Sequence, residues 1–142
     1  MGVEEILLET GDEVTALVRE ELPANKPDEK AEEIWEEALT ENADYNAAFI
    51  GEEGTYTVEE DPDYAFLVDP LDGTSGAVNG EFPWMTTTVT VLEDVDVNGN
   101  RVTGAPAGSY IRQINENGAE FYSWDGEPSI DGEVRFTELD PE

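Results

Sequence analysis

The stretch Leu67-Val68-Asp69-Pro70-Leu71-Asp72-Gly73-Thr74-Ser75-Gly76 carries residue types from which a metal site facing a phosphate can be built. Asp69 follows an apolar run, so it reads as the end of a strand and not as part of a solvated acidic segment. Pro70 fixes a backbone angle and withholds an N–H, bending the chain so that the carboxylates of Asp69 and Asp72 and the carbonyl of Leu71 can converge. Two carboxylates and a carbonyl are hard oxygen ligands, the set Mg²⁺ takes. Gly73 lets backbone approach a ligand closely, and Thr74 offers a hydroxyl where a helix can begin, with N–H groups directed at an anion. D-P-x-D-G is also an ordinary turn. In a chain with 36 Asp plus Glu against six Lys plus Arg, a pair of aspartates alone favours the turn.

The wider pattern reverses that judgement. Phe49-Ile50-Gly51-Glu52-Glu53, then Phe66 to Thr74, then Phe82-Pro83-Trp84 resembles the inositol monophosphatase family, Mg²⁺-dependent phosphatases that include archaeal fructose-1,6-bisphosphatases and bisphosphate nucleotidases. The resemblance implies that Glu52, Asp69, the Leu71 carbonyl and Asp72 are metal ligands, with Asp69 bridging two ions. It further implies that the Gly73 and Thr74 amides hold the phosphate, and that Thr74, partnered by Asp28, helps to activate the attacking water. Asp28 and Glu32 match the family's T-x-x-D-x-x-x-E pattern, although Ala24-Asn25-Lys26-Pro27 stands in place of the threonine segment. The implied cofactor is Mg²⁺ and the implied substrate a small sugar or inositol phosphate.

The resemblance covers nearly the whole chain but only the family's N-terminal half. The second half supplies a W-D-x-A motif with a further metal ligand and most contacts to the substrate's alcohol. Trp124-Asp125 continues as Gly126-Glu127-Pro128 and reads instead as a hairpin turn. Two expectations follow. One is a weakly active phosphatase half, completed by a homo-oligomer or a second chain. The other is a non-catalytic acidic relative that keeps the fold and binds a divalent ion or a partner.

Composition narrows the chemistry. Without histidine or cysteine, the chain has no thiolate site, no disulfide and no imidazole base. Catalysis must rest on carboxylates, hydroxyls and hard metal ions. A formal charge of −30 repels nucleic acid and gives no basic patch for a membrane surface, and it points to a high-salt habitat. No apolar run approaches the ~20 residues of a membrane span, so the expected location is cytoplasmic.

Elements must position these residues, and the spacing predicts an α+β domain over residues 1–142, two helices packed on a mostly antiparallel sheet. Val3, Ile6, Leu7, Val14, Leu17 and Val18 recur at helical spacing, with Gly11 as an expected kink or division. Ala31, Ile34, Trp35, Ala38 and Leu39 form the stripe of a second helix opened by Pro27 and Asp28. Glu32, Glu33, Glu36 and Glu37 read as its solvated face, and Glu53 and Glu59 to Asp61 as surface charge. Strands are expected at 48–50, 64–68 and 85–92, followed by an antiparallel meander. Asp94 to Asn100 imitates the start of an EF-hand loop, but Ala105 stands where a bidentate glutamate is required, and a hairpin turn is the better reading.

Overall fold

The first apolar spacing produces α1 (Val3–Glu21), which buries Val3, Ile6, Leu7, Val14 and Val18 and carries Glu4 and Glu5 in its first turn and Arg19 in its last, complementing the helix dipole. A computed structural model describes residues 2–21, 27–41, 44–72, 86–99, 101–114, 120–124 and 127–131, with Glu21, Asp72 and the segments from 122 onward described by backbone alone. α1 is continuous through Gly11. The expected kink is replaced by a close approach, because a Cβ at Gly11 would enter the phenol ring of Tyr110. Tyr110 is fully buried and donates from its hydroxyl to Glu120 Oε2 at 2.5 Å. Arg112 beside it pairs with both Asp12 of α1 and Glu120. Burial lowers the pKa of Arg112, but its hydrogen bonds with Asp12 and Tyr110 and the attraction of Glu120 outweigh this and raise it.

α2 (Pro27–Thr40) starts at the proline, whose missing N–H costs nothing in a first turn. Ala31, Trp35 and Leu39 are fully buried, and Ile34 and Ala38 pack against the same core. Trp35 meets Tyr110 edge-on at 5.8 Å and donates its indole N–H to Thr87 Oγ1 at 2.9 Å.

The helices cover one face of a seven-stranded sheet in the order β2-β1-β3-β4-β5-β6-β7. Its strands are β1 (Ala47–Gly51), β2 (Tyr56–Val58), β3 (Tyr64–Asp72), β4 (Thr86–Asn98), β5 (Arg101–Gln113), β6 (Glu120–Trp124) and β7 (Glu127–Asp131). From β3 to β7 the sheet is the expected antiparallel meander. Trp124 pairs with Glu127, the hairpin anticipated there. Asp94 to Asn98 belong to β4 itself, and Asn98 pairs with Arg101 of β5 beside Gly99 at φ +66°, so the EF-hand imitation is a hairpin. The departure lies at the other edge. β1 and β2 form a short hairpin, after which the chain crosses to the far side of β1 and β3 pairs with β1 in parallel.

Alternation along the strands sends Phe49, Phe66, Val68, Val89, Val91 and Tyr110 into the helix-facing core. Register places Ile50, Tyr56, Val58, Leu67, Thr88, Thr90 and Ile111 on the opposite face. The exposed large hydrophobic residues among those described, Tyr56, Val58, Leu67 and Ile111, all lie there.

Candidate functional site

The parallel pairing of β1 with β3 sets the site. Gly51 faces Val68, and the Glu52 N–H donates to the Val68 carbonyl at 3.0 Å, which puts Glu52 next to Asp69 where the parallel pairing of the two strands ends. Glu52 and Asp69 line one open depression with Ile50, Gly51, Leu67, Val68, Thr88 and Thr90. Asp69 is half-buried, with Oδ1 shielded from solvent, whereas Glu52 is exposed. The two threonines escaped the sequence reading, where they were only part of a β-branched strand.

β3 does not stop at Asp69 as expected. It continues to Asp72, with Asp69 paired to Thr88 and Asp72 to Thr86, so one extra residue sits on β3 between them. Pro70 explains the irregularity, because a residue without an N–H cannot continue the ladder and is accommodated at a bulge. Pro70 and Leu71 are both buried, and Leu71 joins the core cluster. The Asp72 side chain and residues Gly73 and Thr74 lie outside the described residues. Among the described residues, no three carboxylates stand together as a metal-holding group.

The Gly51–Thr55 turn carries Glu52, and every N–H in it has an acceptor. Gly51 donates to the Thr55 carbonyl at 2.8 Å, Glu52 to Val68, and Gly54 to the Gly51 carbonyl at 3.1 Å. The remaining two, Glu53 and Thr55, donate to Glu32 Oε1 at 2.9 Å and Oε2 at 3.1 Å. Glu32 is 1% exposed, which corrects the expectation of a solvated face. Gly51 is needed beneath it, because a Cβ there would occupy the space of the Glu32 carboxylate.

One turn further along α2, Glu36 accepts from the Thr57 hydroxyl at 2.7 Å, a second correction to the solvated face. One turn earlier, Asp28 meets the Glu53 side chain. Asp28, Glu32 and Glu36 thus form a row at helical spacing laid over the β1–β2 hairpin. The pKa of Glu53 is raised, first by desolvation, then by repulsion from and hydrogen bonding with Asp28, and then by Glu32 and Glu52. Glu53 is exposed, as a surface charge would be, but it belongs to this crowded end of the sheet. Glu59 is likewise engaged, accepting from the Ala47 N–H at 3.1 Å.

The profile of the inositol monophosphatase family matches residues 5–133. The chain belongs to that family. Solved structures share its fold. The extragenic suppressor protein SuhB from Bartonella henselae superposes with a TM-score of 0.74 at 21% identity, over 92% of this chain and 51% of that one. The IMPase from Thermotoga maritima gives 0.71 at 16% identity, over 93% and 52%. SaIMPase-II with inositol monophosphate bound gives 0.70 at 18%, over 92% and 47%. The chain therefore spans about half the length of these family structures. No curated protein matches it in sequence. Among the described residues, no helix is long and apolar enough to cross a membrane.

Proposed function

We propose that this chain is a Mg²⁺-dependent phosphomonoesterase unit acting on a small sugar, inositol or nucleoside phosphate. The observation that carries the reading is the placement of Glu52 and Asp69 in one depression by the parallel β1–β3 pair. The donor chemistry fits the ion, since carboxylate oxygens are its preferred protein ligands and a solvent-shielded Asp69 Oδ1 is matched to a cation. Glu52, Asp69, the Leu71 carbonyl and Asp72 are the proposed holders. Magnesium bound there would supply neutralisation of phosphate charge and acidification of water.

The chain's own groups do the rest. The Gly73 and Thr74 amides hold the phosphate oxygens. The Thr74 hydroxyl takes a proton from the attacking water while passing its own to the Asp28 carboxylate, as the water oxygen bonds to phosphorus in line and the ester P–O bond breaks. The alkoxide released takes a proton from solvent to leave as an alcohol, and Asp28 gives up its proton to solvent in turn. The family context and the bound ligands of the neighbours, inositol monophosphate in one SaIMPase-II structure and 2'AMP in another, support this substrate class.

The 142 residues act as one domain in this reading, within a salt-rich cytoplasm. The exposed hydrophobic residues on the uncovered sheet face support completion of the substrate wall by another polypeptide, a second copy or a separate chain. Turnover by this chain alone is then slow. Phosphate release from a panel of inositol, sugar and nucleoside monophosphates in molar KCl, with and without Mg²⁺, tests the proposal. Slow Mg²⁺-dependent release that disappears in Asp69→Asn is expected. No release would favour the non-catalytic relative, and undiminished release by Asp69→Asn would move the site elsewhere.

A further inference from the structure

We infer that Glu32 is a positioning residue for the metal site, acting through the Gly51–Thr55 turn. The inference rests on the proposal that Glu52 is a ligand. Glu52 is exposed and sits in a turn whose backbone, left to itself, would sample many conformations. A ligand on such a turn binds well only if the turn is held before the ion arrives. Two of the turn's five N–H groups, those of Glu53 and Thr55, are held by one carboxylate. That carboxylate is fixed by burial on α2, and the bare Cα of Gly51 lets it approach closely. Glu53 directly follows Glu52, so its N–H bond fixes the peptide plane that leads out of the ligand residue.

The acceptor must be a carboxylate. Both partners are backbone donors, and Glu32 presents an oxygen to each. In Glu32→Gln one of these oxygens becomes an amide nitrogen, placing donor against donor. Glu36 is the built-in comparison. It lies on the same row of α2 and binds the same hairpin, but through the Thr57 side chain, outside the turn.

Mn²⁺ is the probe, its free concentration read by electron paramagnetic resonance in molar KCl, where diffuse attraction to the acidic surface is screened to ~3 Å. Amide exchange at Glu53 and Thr55 is followed by nuclear magnetic resonance in metal-free samples of the same proteins. For Glu32→Gln we expect faster exchange at these two amides and Mn²⁺ affinity weakened about tenfold or more, the usual effect of losing a residue that orients a ligand. Glu36→Gln should leave Mn²⁺ affinity unchanged, and Glu52→Gln should reduce it at least as much as Glu32→Gln. Unchanged affinity in Glu32→Gln, with Glu52→Gln impaired, overturns the positioning role and leaves the metal site standing. Equal weakening by Glu36→Gln also overturns it, since general loosening of the hairpin would then suffice. Unimpaired binding in Glu52→Gln, or none by the unaltered protein, overturns the ligand assignment and the inference with it.

Discussion

Gly51→Ala inserts one methyl group into the space held by the Glu32 carboxylate. The group it meets is a fully buried anion, so no exposed side-chain end can swing aside. Accommodating the methyl means withdrawing Glu32 from the N–H groups of Glu53 and Thr55. Hydrogen bonds to a charged group contribute about 1.5–3 kcal/mol each, so losing two costs about 3–6 kcal/mol. Domains of this kind have only ~5–15 kcal/mol in total. The cost should depend on Glu32 being present. In a Glu32→Ala background the methyl meets no carboxylate, and Gly51→Ala should be worth within about 1 kcal/mol of zero, or slightly stabilising through the unfolded chain. Urea unfolding of the four proteins of this cycle in molar KCl measures the coupling. Additive costs, with Gly51→Ala equally harmful in both backgrounds, would refute the packing of Glu32 over the turn.

Other outcomes follow from the same structure. Gly11→Ala should lose about 1–3 kcal/mol by overpacking against buried Tyr110, despite the gain in helix propensity, whereas Gly2→Ala, whose nearest neighbour would be Glu5 Oε1 at 4.0 Å, should be neutral by urea unfolding. The raised pKa of Glu53 means that the folded protein binds its proton more readily than the unfolded chain does. Stability should therefore fall as pH rises from the ordinary carboxylate value of 4.5 through the raised one, and Glu53→Gln should flatten that slope in pH-dependent unfolding. With a charge of −30, the thermal midpoint should climb as KCl rises from ~0.01 M to ~1 M, because screening shortens from about 30 Å to about 3 Å. An unchanged midpoint would contradict this.

What could be read in the sequence and what could not divide along physical lines. The stripes of α1 and α2, the β-branched run of β4 and the hairpin at Gly99 are local signals, and each produced its element. The Asp69–Asp72 motif and the Gly51–Glu53 segment were visible as residue types, but their adjacency is a product of the parallel β1–β3 pairing, which no local pattern announces. Tyr56 to Val58 is too short and too exposed to stand out as a strand. Glu32 was the instructive miss. Amphipathic reasoning assigns a glutamate to solvent, yet two N–H groups of a turn some twenty residues ahead make the interior the better place for this one. The sign available beforehand was its spacing of four from Asp28 in the family pattern. Gly11 looked like a helix breaker because its packing partner, Tyr110, lies far along the chain.

If a divalent ion is held where the parallel pairing of β1 and β3 ends, substoichiometric Mn²⁺ in molar KCl should reveal it by paramagnetic broadening of amide resonances. Gly51, Glu52, Val68, Asp69 and Thr88 should broaden first, and Asp69→Asn should remove the effect. Broadening spread evenly over the acidic surface, or centred on Asp94 and Asp96, would contradict it.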